Sequence, residues 1–254
     1  MWCIMRYFFA EPSKTGGNAV LISGSDAKHI KNVLRMKIGD RLGLSDGSGM
    51  GYEARITAFP NKGVEVSISG RFPLNTESPT QIIVAQAFLK EKKMDGLVRP
   101  LTELGISRWI PFIAKRSVPR PDKKRLAARI VRWEKIAKES LKQCRRSLMP
   151  EIGPVATFEE VLAIGKACDL RIAFWEDEAM PFDFVSSQSD RNSHPTILLM
   201  LGPEGGFTVE EMEKAGDCGF VTASLGPRIL RSETASIAAC TLVQYFFGDM
   251  GKNP

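Results

Sequence analysis

The sequence is poor in the residues that build metal and redox centres. Its five cysteines, at 3, 144, 168, 218 and 240, form no CxxC pair, and none has a histidine nearby. A zinc framework or a disulfide scaffold is therefore not expected, and five buried thiols in a reducing cytoplasm are. No metal is called for. Long apolar runs are missing too. A stretch such as ILLMLG at 197–202 is far below the roughly 20 residues that cross a bilayer, so no membrane partner is expected. The start, MWCIMRYFFAEPSK, has no basic region followed by an apolar one, which argues against a secretory signal. Neither a Gly-Lys-Ser/Thr loop nor GxGxxG occurs at the glycine-rich turn described below, which disfavours nucleoside triphosphates and dinucleotides. There is no internal repeat and no low-complexity tract.

What is present is a surplus of positive charge, unevenly spread. The chain has 254 residues and a net charge of +6. That length suits one large domain or two modest ones and allows a real core. Between positions 115 and 146 there are thirteen Lys or Arg, opposed only by Asp122, Glu134 and Glu139. Such a stripe, which includes Arg116, Lys123, Lys124, Arg145 and Arg146, is the footprint of phosphate-backbone binding. A solvated helix face with a few Glu–Lys pairs is the other reading, but few acids are available for it.

The chain changes character near residue 72. Before it, short runs (AVLIS at 19–23, RLGLSDGSG at 41–49, YEARITAF at 52–59, GVEVSISG at 63–70) alternate between turn signals. They predict a small β-barrel over 1–72. One inserted helix is expected within 25–40, capped by Ser25 or Asp26, with Ile30, Val33 and Leu34 on one face. His29 on that helix has no second ligand near it and reads as a helix-face or RNA-side residue. Residues 73–80 belong to a polar, proline-containing linker. From 81 to 254 apolar strands alternate with helices, which predicts a parallel sheet covered on both faces. The first helix, 93–105, is expected to be kinked or started at Pro100 and closed by Gly105.

Two strand ends carry the chemistry. LLMLGPEGGFTVEE at 198–211 and LGPRILRSETAS at 225–236 both run from a strand through Leu-Gly-Pro into a loop and a helix. Thr208 to Glu211 is a capping-box pattern. Ligands of open α/β sheets sit at the carboxyl ends of strands, where glycines let backbone groups come close. The first loop alone could equally be a tight turn. Together the two could enclose a flat heterocycle, with Leu225, Ile229 and Leu230 as apolar walls. Arg228 and Arg231 could face an anion, or Arg228 could hold the loop through carbonyls. Glu233 falls at a helix N-terminus, where a carboxylate is favourable.

At these loops the sequence resembles the RsmE-type RNA methyltransferases of the SPOUT superfamily. Further matches are RYFF at 6–9, HIKNVLRMKIGD at 29–40, KMDGLVRPLTELGISRWIPF at 93–112 and RWEKIAKESLKQCRRSLMPEI at 132–152, so the resemblance spans nearly the whole chain; 179–195 matches least. It implies an α/β domain with a deep trefoil knot, a PUA-like N-terminal β-barrel that helps hold RNA, and a homodimer formed near the last helix. It implies S-adenosylmethionine (SAM) as methyl donor and uridine N3 of 16S rRNA in the small ribosomal subunit as acceptor. The SAM site would comprise Met200, Leu201, Gly202, Pro203, Glu204, Gly205, Gly206, Leu225, Gly226, Ile229, Leu230 and Thr234. Arg231 would steady charge on the target base, with Glu233 as a candidate base or merely a helix-start residue. Arg6, His29 and Arg35 would join the stripe cations on the RNA. Two other outcomes stay open: a SPOUT enzyme acting on tRNA or a ribose 2′-hydroxyl, and an RNA-binding assembly factor without catalysis.

Overall fold

The structure is a computed structural model that describes residues 7–10, 18–90, 92–119, 122–177, 182 and 194–251. The chain divides into two compact units. One holds the N-terminal residues to Glu77 together with Leu141–Met149; the other holds Ser78–Ser140 and Pro150–Pro254.

The first unit is built on a five-stranded sheet in the order β1-β3-β4-β5-β2. Its strands are β1 (Tyr7–Phe9), β2 (Ala19–Ile22), β3 (Arg41–Ser45), β4 (Met50–Ala58) and β5 (Val64–Pro73). All pairs are antiparallel except β1 with β3. Alternation turns Phe8, Leu42, Leu44, Ala54, Ile56, Val64 and Val66 inward onto one apolar core. Register shifts at Glu53/Ala54 and Ile56/Ala58 break the β4–β5 ladder; such irregularities bend and twist the strands around a core. β5 continues to Pro73, the first residue of the linker expected at 73–80.

The helix expected within 25–40 is shorter. It comprises α1 (Gly24–Lys28) and one π-helical turn, His29–Val33. Ser23, not Ser25 or Asp26, takes the N-cap position, with extended backbone and no side-chain cap bond. Ile30 is fully buried, but Val33 is 68% exposed. The wide turn carries position i+3 off the face that a 3.6-residue period assigns to it. Arg35, at φ 49, then takes the chain out of the turn.

The second unit is a seven-stranded sheet, all of whose pairs are parallel. In chain order the strands are β6 (Gln81–Ala87), β7 (Arg108–Ile113), β8 (Glu151–Ile152), β9 (Ala156–Thr157), β10 (Leu170–Phe174), β11 (Thr196–Leu201) and β12 (Val221–Ala223). The spatial order is β12-β10-β11-β6-β7-β8, with β9 also on β7. Central β11 is buried from Ile197 to Leu201, as a strand covered on both faces must be.

The helices described in full beside the sheet are α2 (Lys93–Glu103), α3 (Lys123–Cys144), α4 (Phe158–Gly165), α5 (Val209–Asp217) and α6 (Ser232–Phe246). Pro100 lies inside α2, which starts at Lys93, and Gly105 follows its C-cap at φ +83. The Trp133 ring of α3 packs edge-on to Trp109 at 4.8 Å, and its Nε1 donates to Asp95 at 2.7 Å. Among the described residues no helix is long and apolar enough to cross a membrane.

Candidate functional site

The strand order decides where chemistry can sit. β10 lies between β12 and β11, so three carboxyl ends stand side by side. The loops that leave them surround a cleft of about 680 Å³. The two Leu-Gly-Pro loops supply most of its wall, and Trp175 and Glu176, following β10, supply the part between them.

The loop after β11 is held from several sides. Gly206 sits at φ +67, and its N–H donates to Pro203 O at 3.0 Å. A Cβ there would run into the Glu176 carboxylate and push it aside, so this position favours glycine for its conformation, and a side chain there would displace Glu176. Arg116 Nη1 donates to the carbonyls of Gly205 at 3.0 Å and Phe207 at 3.1 Å. Buried Gln86 donates to Gly202 O at 3.3 Å, and its Oε1 is 2.5 Å from Ser236 Oγ on α6. The Thr208–Glu211 capping box forms as the pattern predicts and starts α5. Glu211 also accepts from Lys115 N at 2.8 Å.

The loop after β12 is tied more lightly. Gly226, at φ +96, donates its N–H to Ser224 Oγ at 3.1 Å. Pro227, Arg228, Ile229 and Arg231 are exposed, Ile229 at 89%, and Leu230 is half-buried. Arg231 takes the N-cap position of α6 with extended backbone.

A charge cluster lies along the cleft. Lys93 Nζ is 3.1 Å from Glu204 and 3.4 Å from Glu233. The Glu204 hydrogen bond, the largest influence, and the Glu233 charge push the Lys93 amine above its ordinary value, against a smaller desolvation. Burial opposes ionisation of Glu204, but the Lys90 backbone N–H at 3.0 Å and Lys93 outweigh it, so its carboxyl titrates below the usual range. The cleft thus combines apolar walls, two carboxylates (Glu176 and Glu204) and exposed guanidiniums at Arg228 and Arg231.

Comparison with known proteins identifies this arrangement. A family model described as an RNA methyltransferase domain matches residues 76–244, and one described as an RNA methyltransferase PUA domain matches 22–69. The ribosomal RNA small subunit methyltransferase E of Bacillus subtilis is 32% identical over 229 residues, covering 88% of this chain and 89% of that protein. The chain belongs to the ribosomal RNA small subunit methyltransferase E family. The member from Buchnera aphidicola of Schizaphis graminum is also 32% identical, over 91% of this chain and 92% of its own. A solved Neisseria gonorrhoeae member bound to SAM superposes with a TM-score of 0.82 at 29% identity, covering 97% of this chain and all of that one.

Within this methyltransferase fold, Leu201, Gly202, Pro203, Glu204, Gly206, Leu225, Gly226, Ile229, Leu230 and Arg231 line the cleft. Met200, Gly205 and Thr234 do not. Met200 is fully buried in the core, Gly205 backs onto Arg116, and Thr234 is exposed on α6. Glu233 is engaged by Lys93. Of the residues expected on RNA, His29, Arg35, Lys124 and Arg145 are exposed. Arg6 and the side chain of Lys123 lie outside the described residues. Arg116 is exposed as well, although its Nη1 is tied to carbonyls of the loop after β11. One expectation needs correction. Arg146 is 7% exposed and bonded to Glu77 at 2.6 and 2.9 Å, so it is not available to phosphates.

Sequence reasoning missed Gln86, Lys93 and Glu176. A signal existed for each. Gln86 is a lone amide in an apolar strand, Lys93 begins a helix after a strand end, and Glu176 is a carboxylate just beyond an apolar strand.

Proposed function

We propose that the protein transfers the methyl group of SAM to N3 of a uridine in 16S rRNA of the small ribosomal subunit. The observation that carries this is the cleft walled by both Leu-Gly-Pro loops at adjacent strand ends, in a chain of this family. Its chemistry suits SAM. Leu201, Leu225 and Leu230 offer apolar surface to a flat base, and Glu176 and Glu204 offer negative charge to a cationic end. The buried Nε1 of Trp175 has no acceptor among the described residues, and a bound group can supply one. When bound, SAM supplies an already activated methyl on its sulfonium.

The protein's task is then the acceptor. Uracil N3 carries a proton of low acidity that must leave to solvent before N3 can accept the methyl group, so the anion that develops at O2 and O4 must be stabilised. We assign that to Arg231, exposed at the cleft and the N-cap of α6. Glu233 is paired with Lys93, and we assign it to orienting that cation rather than to taking the proton. The base must be unpaired or flipped out to reach the cleft.

The resemblance carries three further proposals: a deep trefoil knot in the domain at 81–254, a homodimer through the last helix, and RNA held by the barrel at 1–72 joined by the linker 73–80. Exposed Ile237 and Tyr245 on α6 support the second. An rRNA substrate implies a cytoplasmic site of action. The test of mechanism is Arg231→Ala. Turnover should fall about 100-fold or more, as on losing one preorganised donor to a developing anion. SAM affinity should stay within about two-fold; equal loss of both would make Arg231 a binding residue.

A further inference from the structure

We infer that the outer face of the N-terminal sheet carries a second site, which takes one unpaired base of a single-stranded RNA segment with Arg145 on the adjoining phosphate. The inference rests on the proposed RNA-modifying function only for the identity of the strand, and none of its residues lines the cleft.

Strand β1 alternates. Phe8 points into the core of the sheet, while Tyr7 and Phe9 turn to the other face and stay half-buried. Both rings lie over glycine backbone. A Cβ at Gly43 would come within 2.8 Å of the Tyr7 ring, and one at Gly47 within 3.1 Å of the Phe9 ring. Any side chain at 43 would displace the Tyr7 ring, and Gly47, at φ +80, is a glycine position by conformation as well. The two rings, with Leu74 and Leu141, border a cavity of about 180 Å³ edged by Ser45 and Thr76. That is below the range of about 300–1,000 Å³ typical of whole-ligand pockets. It suits one flat ring.

Among the described residues three cations border the same cavity, and two are engaged. Lys142 is 3.0 Å from Asp26, and Arg146 is bonded to Glu77. Arg145 is exposed and, among the described residues, makes no ion pair. Its charge nevertheless reaches the platform. Burial pushes the Tyr7 phenol up, and Arg145 pulls it the other way. Arg145 directly follows α3 at φ 63, the left-handed position where glycine is the default. Keeping a β-carbon there is strained, and such strain concentrates at functional positions. A cation after a helix C-terminus also favours the helix dipole, but that role affects stability alone. An aromatic platform beside a guanidinium is how single strands are held: bases stack, and the backbone is neutralised.

The test uses the full chain and a fluorescein-labelled ten-nucleotide oligouridine, with anisotropy read across a salt series. Tyr7→Ala with Phe9→Ala should weaken binding about ten-fold or more and leave the salt slope unchanged, and Tyr7→Phe should bind as the parent does. Arg145→Gly should lower the slope by about 0.7, the value of one lost phosphate contact on a single strand, while thermal stability holds or rises. Unchanged affinity and slope in Arg145→Gly would overturn the site. A second measurement needs no variant: a 4-thiouridine oligonucleotide should photocrosslink to the peptide holding Tyr7 and Phe9, and crosslinks confined to other peptides would overturn it. Displacement of the oligonucleotide by an equal concentration of uridine monophosphate would contradict the RNA assignment. Methyl transfer by the parent protein, measured in parallel, separates failure of this site from failure of the proposed activity.

Discussion

Replacing Gly206 by alanine tests how the cleft is built. At φ +67 an L-residue costs about 1–2 kcal/mol. The new Cβ would also overlap the Glu176 carboxylate. That carboxylate is the end of a flexible, exposed side chain, so it can swing away, and the total cost should stay near 1–2 kcal/mol. At about 2–4 °C per kcal/mol for a protein of this size, Tm should drop by about 2–8 °C. SAM affinity should suffer more than stability does, because Glu176 leaves its place between the two loops. Loss of one charged hydrogen-bonding group, worth about 1.5–3 kcal/mol, is roughly ten-fold or more in Kd. Gly96→Ala is the control. Gly96 lies inside α2, and an added Cβ meets nothing within 4 Å. That variant should gain about 0.5–1 kcal/mol from helix propensity. Differential scanning calorimetry and isothermal titration measure both quantities. A Gly206→Ala protein with parental Tm and SAM affinity would refute the reasoning.

Three other outcomes are expected. Glu77 accepts from Arg146, Ser147 N and Leu148 N; burial opposes its ionisation, but these partners hold its carboxyl below the usual value. Its folded pKa lies below its unfolded one, so its stabilisation is present above about pH 4.5 and is lost as pH falls through the folded value. Urea titrations from pH 7 to 3 should show that loss, and Glu77→Gln should flatten it at a cost of about 3 kcal/mol at neutral pH. Lys93→Met should raise the Glu204 pKa, read by carboxyl-carbon NMR, because a cation that lowers it is gone. An unmoved Glu204 titration would show that the Lys90 amide alone holds it down. Burial pushes the Cys240 thiol up to about 12, so native protein at pH 8 should leave Cys240 unalkylated by iodoacetamide while unfolded protein labels it fully.

Much of the fold was legible because periodicity reports local burial. Central β11 reads as an uninterrupted apolar run, and α5 announces itself through Thr208 and Glu211. The two Leu-Gly-Pro loops were legible as a pair for the same reason. Strand order was not. Nothing local says that β10 inserts between β11 and β12, so the place of Glu176 beyond an apolar strand marks it as a strand-end carboxylate but does not join it to loops some thirty and fifty residues away. Charge was also misread where its partner is distant. Arg146 looks like one more cation of a stripe, and only tertiary structure brings it to Glu77, 69 positions earlier. The π-turn at His29–Val33 escaped because its period differs from the one a helical pattern assumes.

The central claim is that the cleft serves methyl transfer to a pyrimidine nitrogen of small-subunit RNA. Its most direct test incubates the protein with isotopically labelled SAM and small ribosomal subunits lacking rRNA modification, digests the RNA, and identifies the product nucleoside by mass spectrometry. Labelled 3-methyluridine, lost in Arg231→Ala, is the predicted result. Another labelled nucleoside would keep the donor and overturn the acceptor. No label on subunits or on naked rRNA would contradict the account.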